Sequence, residues 1–154
     1  MIKTKNFQLE KIDYNNTKHL EYLKILMQSK DMSYLWDITD PKLNDKTNSY
    51  IVRNGENEMV GYLNLSNPTE SFYGNTISLY YAIEESKRWR GYGRDLIESV
   101  SDWQFQKENI DCIVAQVEPS NVHSQNALLG AGMKEVMRDE EFVTFVERNE
   151  TKAK

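Results

Sequence analysis

The chain has 154 residues, of which 39% are hydrophobic and 28% charged, and its 24 acidic and 19 basic side chains give a net charge of −5. This composition predicts one globular domain over residues 1–154 and excludes a disordered or collagen-like chain. The acidic balance argues against a nucleic-acid partner, which would need a basic face, and is compatible with a cationic substrate. One cysteine and two histidines exclude an internal disulfide and leave too few ligands for a Cys/His zinc site, so no metal is expected.

No apolar run approaches the length of a membrane-spanning helix, so no membrane partner is expected. The first residues, Met1 to Asn6, lead into no apolar signal core. We therefore expect a cytoplasmic protein.

The N-terminal half is predicted to contain three strands and a helix. Hydrophobic spacing places them, in chain order, at residues 7–13 (strand), 17–29 (helix), 50–53 (strand) and 59–65 (strand). Asn54-Gly55 lies between the last two strands and is typical of a hairpin turn. Residues 33–49 are mixed and are interpreted as a second short helix and a loop.

The C-terminal half is predicted to alternate strands and helices before ending in two strands. The order is a strand at 76–83, a helix from Tyr92, a strand at 110–117, a helix from 119–121 to Leu129, and strands at 133–138 and 142–147. The connection between 76–83 and 110–117 is long enough for a crossover, so these two strands are predicted to be parallel. A ligand site is expected beyond their carboxyl ends, near residues 83–93 and 117–124.

The segment from Lys87 to Arg94 combines two glycines with several cations at a predicted helix start. Glycines allow a tight turn with exposed N–H groups, and a helix N-terminus adds partial positive charge. Together these features predict a site for a phosphate or pyrophosphate, although it is not a Walker loop. The alternative is a tight strand-to-helix turn with solvated arginines.

A second segment, Glu118 to Ser124, begins the next predicted helix. Asn121 or Ser120 is a good N-cap, and capping alone would explain the residue type. Ser124 lies one helical turn beyond Asn121, so both side chains can face one groove at the end of the parallel pair.

Arg88-x-x-Gly91-x-Gly93 resembles the Arg/Gln-x-x-Gly-x-Gly/Ala signature of the GCN-related N-acetyltransferases, the GNAT family. Glu118-Pro119-Ser120-Asn121-x-x-Ser124 is similar to the next motif of that family. The resemblance extends from Phe7 to about Glu147. It implies an α/β fold with a mixed, mostly antiparallel sheet, in which one parallel β-α-β pair is splayed around the cofactor.

The resemblance also implies an acetyl-CoA site. In such enzymes the N–H groups of the loop hold the pyrophosphate, which here means Arg88, Trp89, Arg90, Gly91, Tyr92 and Gly93. The backbone at the end of the preceding strand pairs with the pantetheine arm, which here means Tyr81, Ala82 and Ile83. Asn121 and Ser124 would flank the pantetheine and the thioester.

One position departs from the family pattern. Many members carry a tyrosine seven residues after the asparagine, as the acid toward the leaving thiolate, whereas this chain has Leu128. Asn121-x-x-Ser124 with an aliphatic residue there is similar to the branch that acetylates N-terminal α-amines of ribosomal proteins, in which the serine lies near the cofactor sulfur. Because a thiol of pKa about 8.5 leaves readily as a thiolate, a hydrogen bond from Ser124 would suffice for catalysis.

The attacking amine must be neutral. At pH 7 deprotonation costs roughly 1 kcal/mol for an α-amine of pKa about 7.7–8.0, and roughly 4.6 kcal/mol for a lysine of pKa about 10.4. A carboxylate base would help, and Glu118, at the end of the second parallel strand, is the first candidate, followed by Glu84. The alternative for each is a solvated charge at a strand end or in a loop.

We therefore expect acetyl transfer from acetyl-CoA to a primary amine, with a protein or peptide N-terminal α-amine first. One alternative is a small amine of the polyamine type. Another, from a different class, is a non-catalytic acyl-CoA-binding module. The protein is expected to be a monomer or a homodimer.

Overall fold

A computed structural model describes residues 1–29, 37–42, 47–88, 90–107 and 109–150. Its strands are β1 (Ile2–Lys3), β2 (Gln8–Lys11), β3 (Thr47–Arg53), β4 (Met59–Ser66), β5 (Thr69–Ser71), β6 (Gly74–Ile83), β7 (Cys112–Val117), β8 (Lys134–Arg138) and β9 (Val143–Arg148). Its helices are α1 (Thr17–Met27), α2 (Tyr92–Phe105) and α3 (Val122–Gly130), with a 3₁₀ turn over Glu85–Lys87. None of the helices in these ranges is long and apolar enough to cross a membrane.

The strands form one mixed sheet in the order β1-β2-β3-β4-β6-β7-β9-β8, and β5 pairs with the start of β6. Each neighbouring pair is antiparallel except β6 and β7, which are parallel. The predicted α/β fold class, a mixed, mostly antiparallel sheet with one parallel pair, is therefore confirmed.

Strand alternation divides the core between the two faces of the sheet. On β3, Val52 packs into the cluster that contains Leu96 of α2 and Leu128 of α3, whereas Ile51 packs into the cluster that contains Leu23 of α1. Side chains at successive strand positions point to opposite faces, so β3, β4 and β6 each contribute to both clusters. Helix α1 therefore covers one face, and helices α2 and α3 cover the other.

The parallel strands β6 and β7 are paired over only part of their length. In the described residues their register runs from Thr76 with Cys112 to Ser78 with Val114, and no pair follows. Beyond that point β6 continues in register with β4 as far as Ile83, and β7 continues with β9 as far as Val117. The two strands therefore separate toward their carboxyl ends.

Gly61 allows the close approach of β4 to the end of β6. A β-carbon at this position would lie well inside contact distance of the Ala82 carbonyl oxygen and 3.2 Å from Cδ1 of Ile83. The N–H of Glu84 also donates to the Val60 carbonyl at 2.9 Å, which extends the attachment beyond the strand. The end of β6 is thus held on the β4 side of the opening.

The predicted elements are mostly present, with shifted ends. The first helix ends at Met27 and not at residue 29, β7 begins at Cys112 and not at 110, and residues 47–49, expected in a loop, belong to β3. Strands β1 and β5 are absent from the prediction because runs of two or three residues carry no readable periodicity. Most of the predicted second short helix lies outside the described residues.

We predict that Gly61→Ala destabilises the protein by about 2 kcal/mol, because the methyl group would push the end of β6 away from β4. The matched control is Gly55→Ala in the β3–β4 turn, where a β-carbon meets nothing within 4 Å. Chemical denaturation of both variants measures the difference. Equal stabilities would show that the contact between Gly61 and Ala82 does not constrain the strand.

Candidate acetyl-CoA site

A pocket of about 330 Å³ lies between the N-terminus of α2 and one side of α3. Its lining comes from the end of β6, the loop before α2, the first turn of α2 and α3. The lining residues are Ile83, Arg88, Gly91, Tyr92, Gly93, Arg94, His123, Asn126, Ala127 and Gly130.

Helix α2 begins without a side-chain cap. Gly91 occupies the N-cap position with φ of 78°, a left-handed conformation that glycine adopts at little cost, and its carbonyl accepts from the N–H of Asp95 at 3.0 Å. The first N–H groups of a helix have no intrahelical acceptor, and the dipole makes this end positive. With Arg88 and Arg94 in the pocket wall, this end of the pocket favours an anion.

Small residues keep the pocket open. A β-carbon on Gly93 would lie 3.4 Å from Cε2 of Tyr81 and 3.5 Å from the β-carbon of Ala127, and one on Gly130 would lie 3.0 Å from Cδ of Arg94. At Gly91 a β-carbon would meet nothing within 4 Å, so the space above the helix end is clear. The residues present therefore fit the pyrophosphate and the pantetheine arm of acetyl-CoA, which need a backbone that can be approached closely.

The edge of β6 that faces the opening toward β7 lies beside this pocket. On the β4 side, residues of β6 are in register up to Ile83 with Gly61, while the other side has separated from β7. Arg88 closes the end of this edge, because its Nε donates to the Ile83 carbonyl at 3.2 Å and its Nη2 to Oγ of Ser29 at 3.0 Å. The guanidinium thus joins the end of β6 to the residues that follow α1.

Helix α3 begins at the other side of the opening. Oδ1 of Asn121 accepts from the N–H of Ser124 at 3.2 Å, so this side-chain oxygen caps the helix, as the capping alternative expected. Nε2 of Gln125 donates to the carbonyls of Glu118 and Pro119 at 3.2 and 2.8 Å, which fixes the turn between β7 and α3.

A tyrosine hydroxyl contacts the first turn of α3. The hydroxyl of Tyr81 donates to Oγ of Ser124 at 3.2 Å. Burial raises the pKa of Tyr81, while the hydrogen bond to Ser124 and the charge of Arg88 act in the opposite direction. Because the net effect is upward from an ordinary value near 10, the phenol is protonated near neutral pH and acts as a donor.

On the opposite face, Glu84 follows the end of β6 beside α1. Its carboxylate accepts from Ser86 and lies 3.6 Å from Nζ of Lys87. Burial raises the pKa of Tyr22 far above its ordinary range, and the nearby charge of Glu84 adds to the effect. The negative charge of Glu84 is therefore partly balanced by a neighbouring lysine.

The structure brings together five of the residues predicted for the cofactor, because Ile83, Arg88, Gly91, Tyr92 and Gly93 all line the pocket. The other predicted residues contribute differently. The hydroxyl groups of Tyr81 and Ser124 are hydrogen-bonded to each other, and the Tyr81 ring lies next to Gly93. The side chain of Ala82 packs in the cluster that contains Leu23 of α1, and Arg90 is exposed and does not line the pocket. Trp89 lies outside the described residues.

The lining residues on α3 were missed by the sequence analysis. His123 lies in the pocket wall with Asn126, Ala127 and Gly130. These positions are spaced i, i+3, i+4 and i+7, so they form one face of the helix. Their polar and small side chains fit no hydrophobic pattern, and only the paired small residues Ala127 and Gly130 signal a close approach.

A mixed sheet opened between two parallel strands, with a glycine-rich helix start beside the opening, has the architecture expected of the GNAT acetyltransferases. The model of the acetyltransferase (GNAT) domain family matches residues 8–134. The chain therefore belongs to this family, which confirms the predicted class, an acetyl-CoA-dependent N-acetyltransferase.

Solved structures share the fold at low sequence identity. The complex of AAC(6')-Ib with paromomycin and acetyl-CoA has a TM-score of 0.76 at 14% identity and covers 96% of each chain. A GNAT-family acetyltransferase from Bacillus anthracis has a TM-score of 0.73 at 19% identity, covering 97% of this chain and 98% of its own. The dodecameric spermidine N-acetyltransferase from Vibrio cholerae has a TM-score of 0.69 at 13% identity and covers 95% of each chain. No curated protein matches the sequence.

We predict that Gly91→Ala lowers the affinity for acetyl-CoA at least tenfold, because a methyl group would stand above the N–H groups of α2. Saturation at 100 times Kd stabilises a protein by about 2.7 kcal/mol, and a tenfold loss of affinity would remove about 1.3 kcal/mol of this at the same ligand concentration. The measurement is the shift in Tm on adding acetyl-CoA.

The matched control for this prediction is Gly132→Ala. Gly132 also has a positive φ, of 99°, and open space around its β-carbon position, but it lies outside the pocket lining. Both variants should lose about 1 kcal/mol of intrinsic stability from backbone strain. Identical ligand-induced shifts in the two variants would contradict the assignment of the α2 N-terminus to the pyrophosphate.

Proposed function

We propose that this protein transfers an acetyl group from acetyl-CoA to a primary amine of a small cationic molecule, of the polyamine or aminoglycoside type. The observation that carries the proposal is that the structures sharing this fold over nearly the whole chain include an aminoglycoside acetyltransferase and a spermidine N-acetyltransferase. The net charge of −5 supports a cationic acceptor. The small amine, an alternative in the sequence analysis, is thus better supported than a protein N-terminus or the ribosomal-protein branch.

The cofactor roles follow from the pocket. Bound acetyl-CoA supplies an activated acetyl group and a thiolate as leaving group. The N–H groups around Gly91 and Gly93 would bind its pyrophosphate, and the edge of β6 that faces the opening, at Tyr81–Ile83, would orient its pantetheine arm. The positive end of α2 and the nearby arginines would balance the phosphate charge.

A polar row across the opposite face supports a polar acceptor. Ser49 is in register with Asn64, Asn64 with Tyr80, and Gln116 with Thr144. Tyr80 and Gln116 each lie two residues beyond the last pair of β6 and β7, Ser78 with Val114, so they stand on either side of the opening. Ser49 and Asn64 are buried and hydrogen-bond to each other, whereas Tyr80 and Gln116 are half-buried. The phenol and the amide beside the opening suit an acceptor rich in hydroxyl and amino groups, which would reach the acetyl group through the opening.

A small cationic amine increases the need for a base. If its pKa resembles that of lysine, about 10.4, deprotonation at pH 7 costs roughly 4.6 kcal/mol. Glu118 follows β7 and is half-buried, and its carbonyl accepts a hydrogen bond from Gln125. We assign its carboxylate to accept the amine proton, directly or through water. Glu84 is the second candidate, since Lys87 already partly neutralises its carboxylate.

We predict that the enzyme acetylates spermidine and aminoglycosides faster than peptides with free N-termini. The measurement is release of the CoA thiol across a panel that contains both classes, with wild-type protein at neutral pH. Turnover confined to peptide N-termini would contradict the small-amine assignment. Binding of acetyl-CoA without turnover of any amine would favour the non-catalytic acyl-CoA-binding module.

We predict that Glu118→Gln lowers kcat/KM about 100-fold at pH 7, the size of effect typical for loss of a general base. The deficit should shrink as pH rises toward the pKa of the amine, because the neutral amine then needs no base. The matched control is Glu98→Gln, an exposed glutamate on α2 outside the pocket lining, which makes the same charge change. A variant profile parallel to wild type at all pH values would exclude Glu118 as the base.

A further inference from the structure

A phenol and an aliphatic hydroxyl meet where β6 and α3 approach each other. The hydroxyl of Tyr81 donates to Oγ of Ser124 at 3.2 Å, and the N–H of Ser124 donates to Oδ1 of Asn121 at 3.2 Å. Gly93 leaves room above the phenol, since even a β-carbon there would lie 3.6 Å from the Tyr81 oxygen. The Asn121 cap therefore fixes the first turn of α3, and with it the position of Ser124 relative to Tyr81.

The direction of this hydrogen bond determines what Ser124 can do. The half-buried Tyr81 stays protonated near neutral pH, so it donates its only hydrogen to Ser124. A serine hydroxyl that accepts from one partner keeps its own hydrogen for another acceptor. The opening between the strands, where the reacting group is expected, is the side on which such an acceptor would arrive.

No donor comes from the side chain of Leu128, one turn farther along α3. Leu128 is fully buried in the cluster beneath α2 and α3. Tyr81 therefore supplies a phenol to the start of this helix from the neighbouring strand. The sequence analysis assigned Tyr81 only a backbone role, because its position in a continuous apolar strand does not show where its hydroxyl lies.

We propose that Tyr81 is a positioning residue that, by donating to Ser124, directs the Ser124 hydroxyl toward the sulfur of the departing CoA thiolate. This inference rests on the proposed function, the transfer of the acetyl group to an amine. The amine nitrogen forms a bond to the acetyl carbon, and the electron pair of the broken carbon–sulfur bond stays on sulfur. The amine proton goes to the base or to water, while Tyr81 and Ser124 keep their protons and stabilise the thiolate by hydrogen bonding.

The kinetic test is a double-mutant cycle. Tyr81→Phe should lower kcat about two- to tenfold, the range for one hydrogen bond, and leave the KM for acetyl-CoA unchanged. Ser124→Ala should lower kcat at least as much. In the Ser124→Ala background Tyr81→Phe should have no further effect, because the phenol acts only through the serine.

A binding test measures the same effect without turnover. If the pair stabilises the thiolate, CoA should bind about fivefold more tightly at pH 9 than at pH 7, as the thiol of ordinary pKa about 8.5 ionises more readily in the site. Tyr81→Phe should reduce this gain to less than about twofold. Desulfo-CoA, which lacks the thiol, should show equal pH dependence in wild type and variant.

The control variant is Tyr50→Phe, which removes a hydroxyl from a buried tyrosine packed against Trp103 on the same side of the sheet. It should leave kcat and the pH dependence of CoA binding at wild-type values. Three outcomes of Tyr81→Phe would each overturn the inference. The first is a wild-type kcat, and the second is a higher KM for acetyl-CoA with kcat unchanged. The third is a loss of kcat in the Ser124→Ala background as large as in the wild-type background. Failure of the wild-type protein to acetylate any amine would instead overturn the proposed function.

Discussion

The two parallel strands at the centre of the sheet separate because each is held to a different antiparallel neighbour. Strand β6 follows β4 to Ile83, and β7 follows β9 to Val117, while their own pairing stops at Ser78 with Val114. Backbone hydrogen bonds between strands are short and directional, so a strand that continues with one neighbour cannot also follow another that diverges. The opening is therefore a product of the strong antiparallel pairs on either side.

Other features of the site depend on this opening. It exposes the edge of β6, and it places the starts of α2 and α3 on the same face, on either side of one pocket. Gly61 lies outside the pocket lining but affects the position of β6, because the absence of a side chain lets β4 pair closely with the end of β6. Gly91 and Gly93 then act locally, one by its left-handed backbone and the other by leaving room over Tyr81. The pocket thus depends on close strand pairing at Gly61, a left-handed backbone at Gly91 and open space beside Tyr81 at Gly93.

Periodicity and spacing predict the parallel pair and the glycine-rich anion site after it, whereas the separation of the strands and the acetyl-CoA roles were implied only by the family resemblance. The role of Gly61 could not be predicted, because a glycine within an apolar strand looks the same whether or not a carbonyl approaches it. Tyr80 and Tyr81 illustrate the same limit. They are adjacent in a continuous apolar run, and only the register of β6 shows that Tyr81 lies toward Ser124 while Tyr80 lies on the opposite face.

The two halves of the proposed reaction place unequal demands on the protein. The leaving thiolate needs little help at neutral pH, because its thiol has an ordinary pKa of about 8.5, so a hydrogen-bonded pair such as Tyr81 and Ser124 is sufficient. A polyamine-type acceptor near pKa 10.4 must first lose a proton at a cost of roughly 4.6 kcal/mol. The proposed base should therefore control the rate more strongly than the groups at sulfur. This ordering explains how the chain can have Leu128 in place of a tyrosine and still keep the architecture of an acetyltransferase.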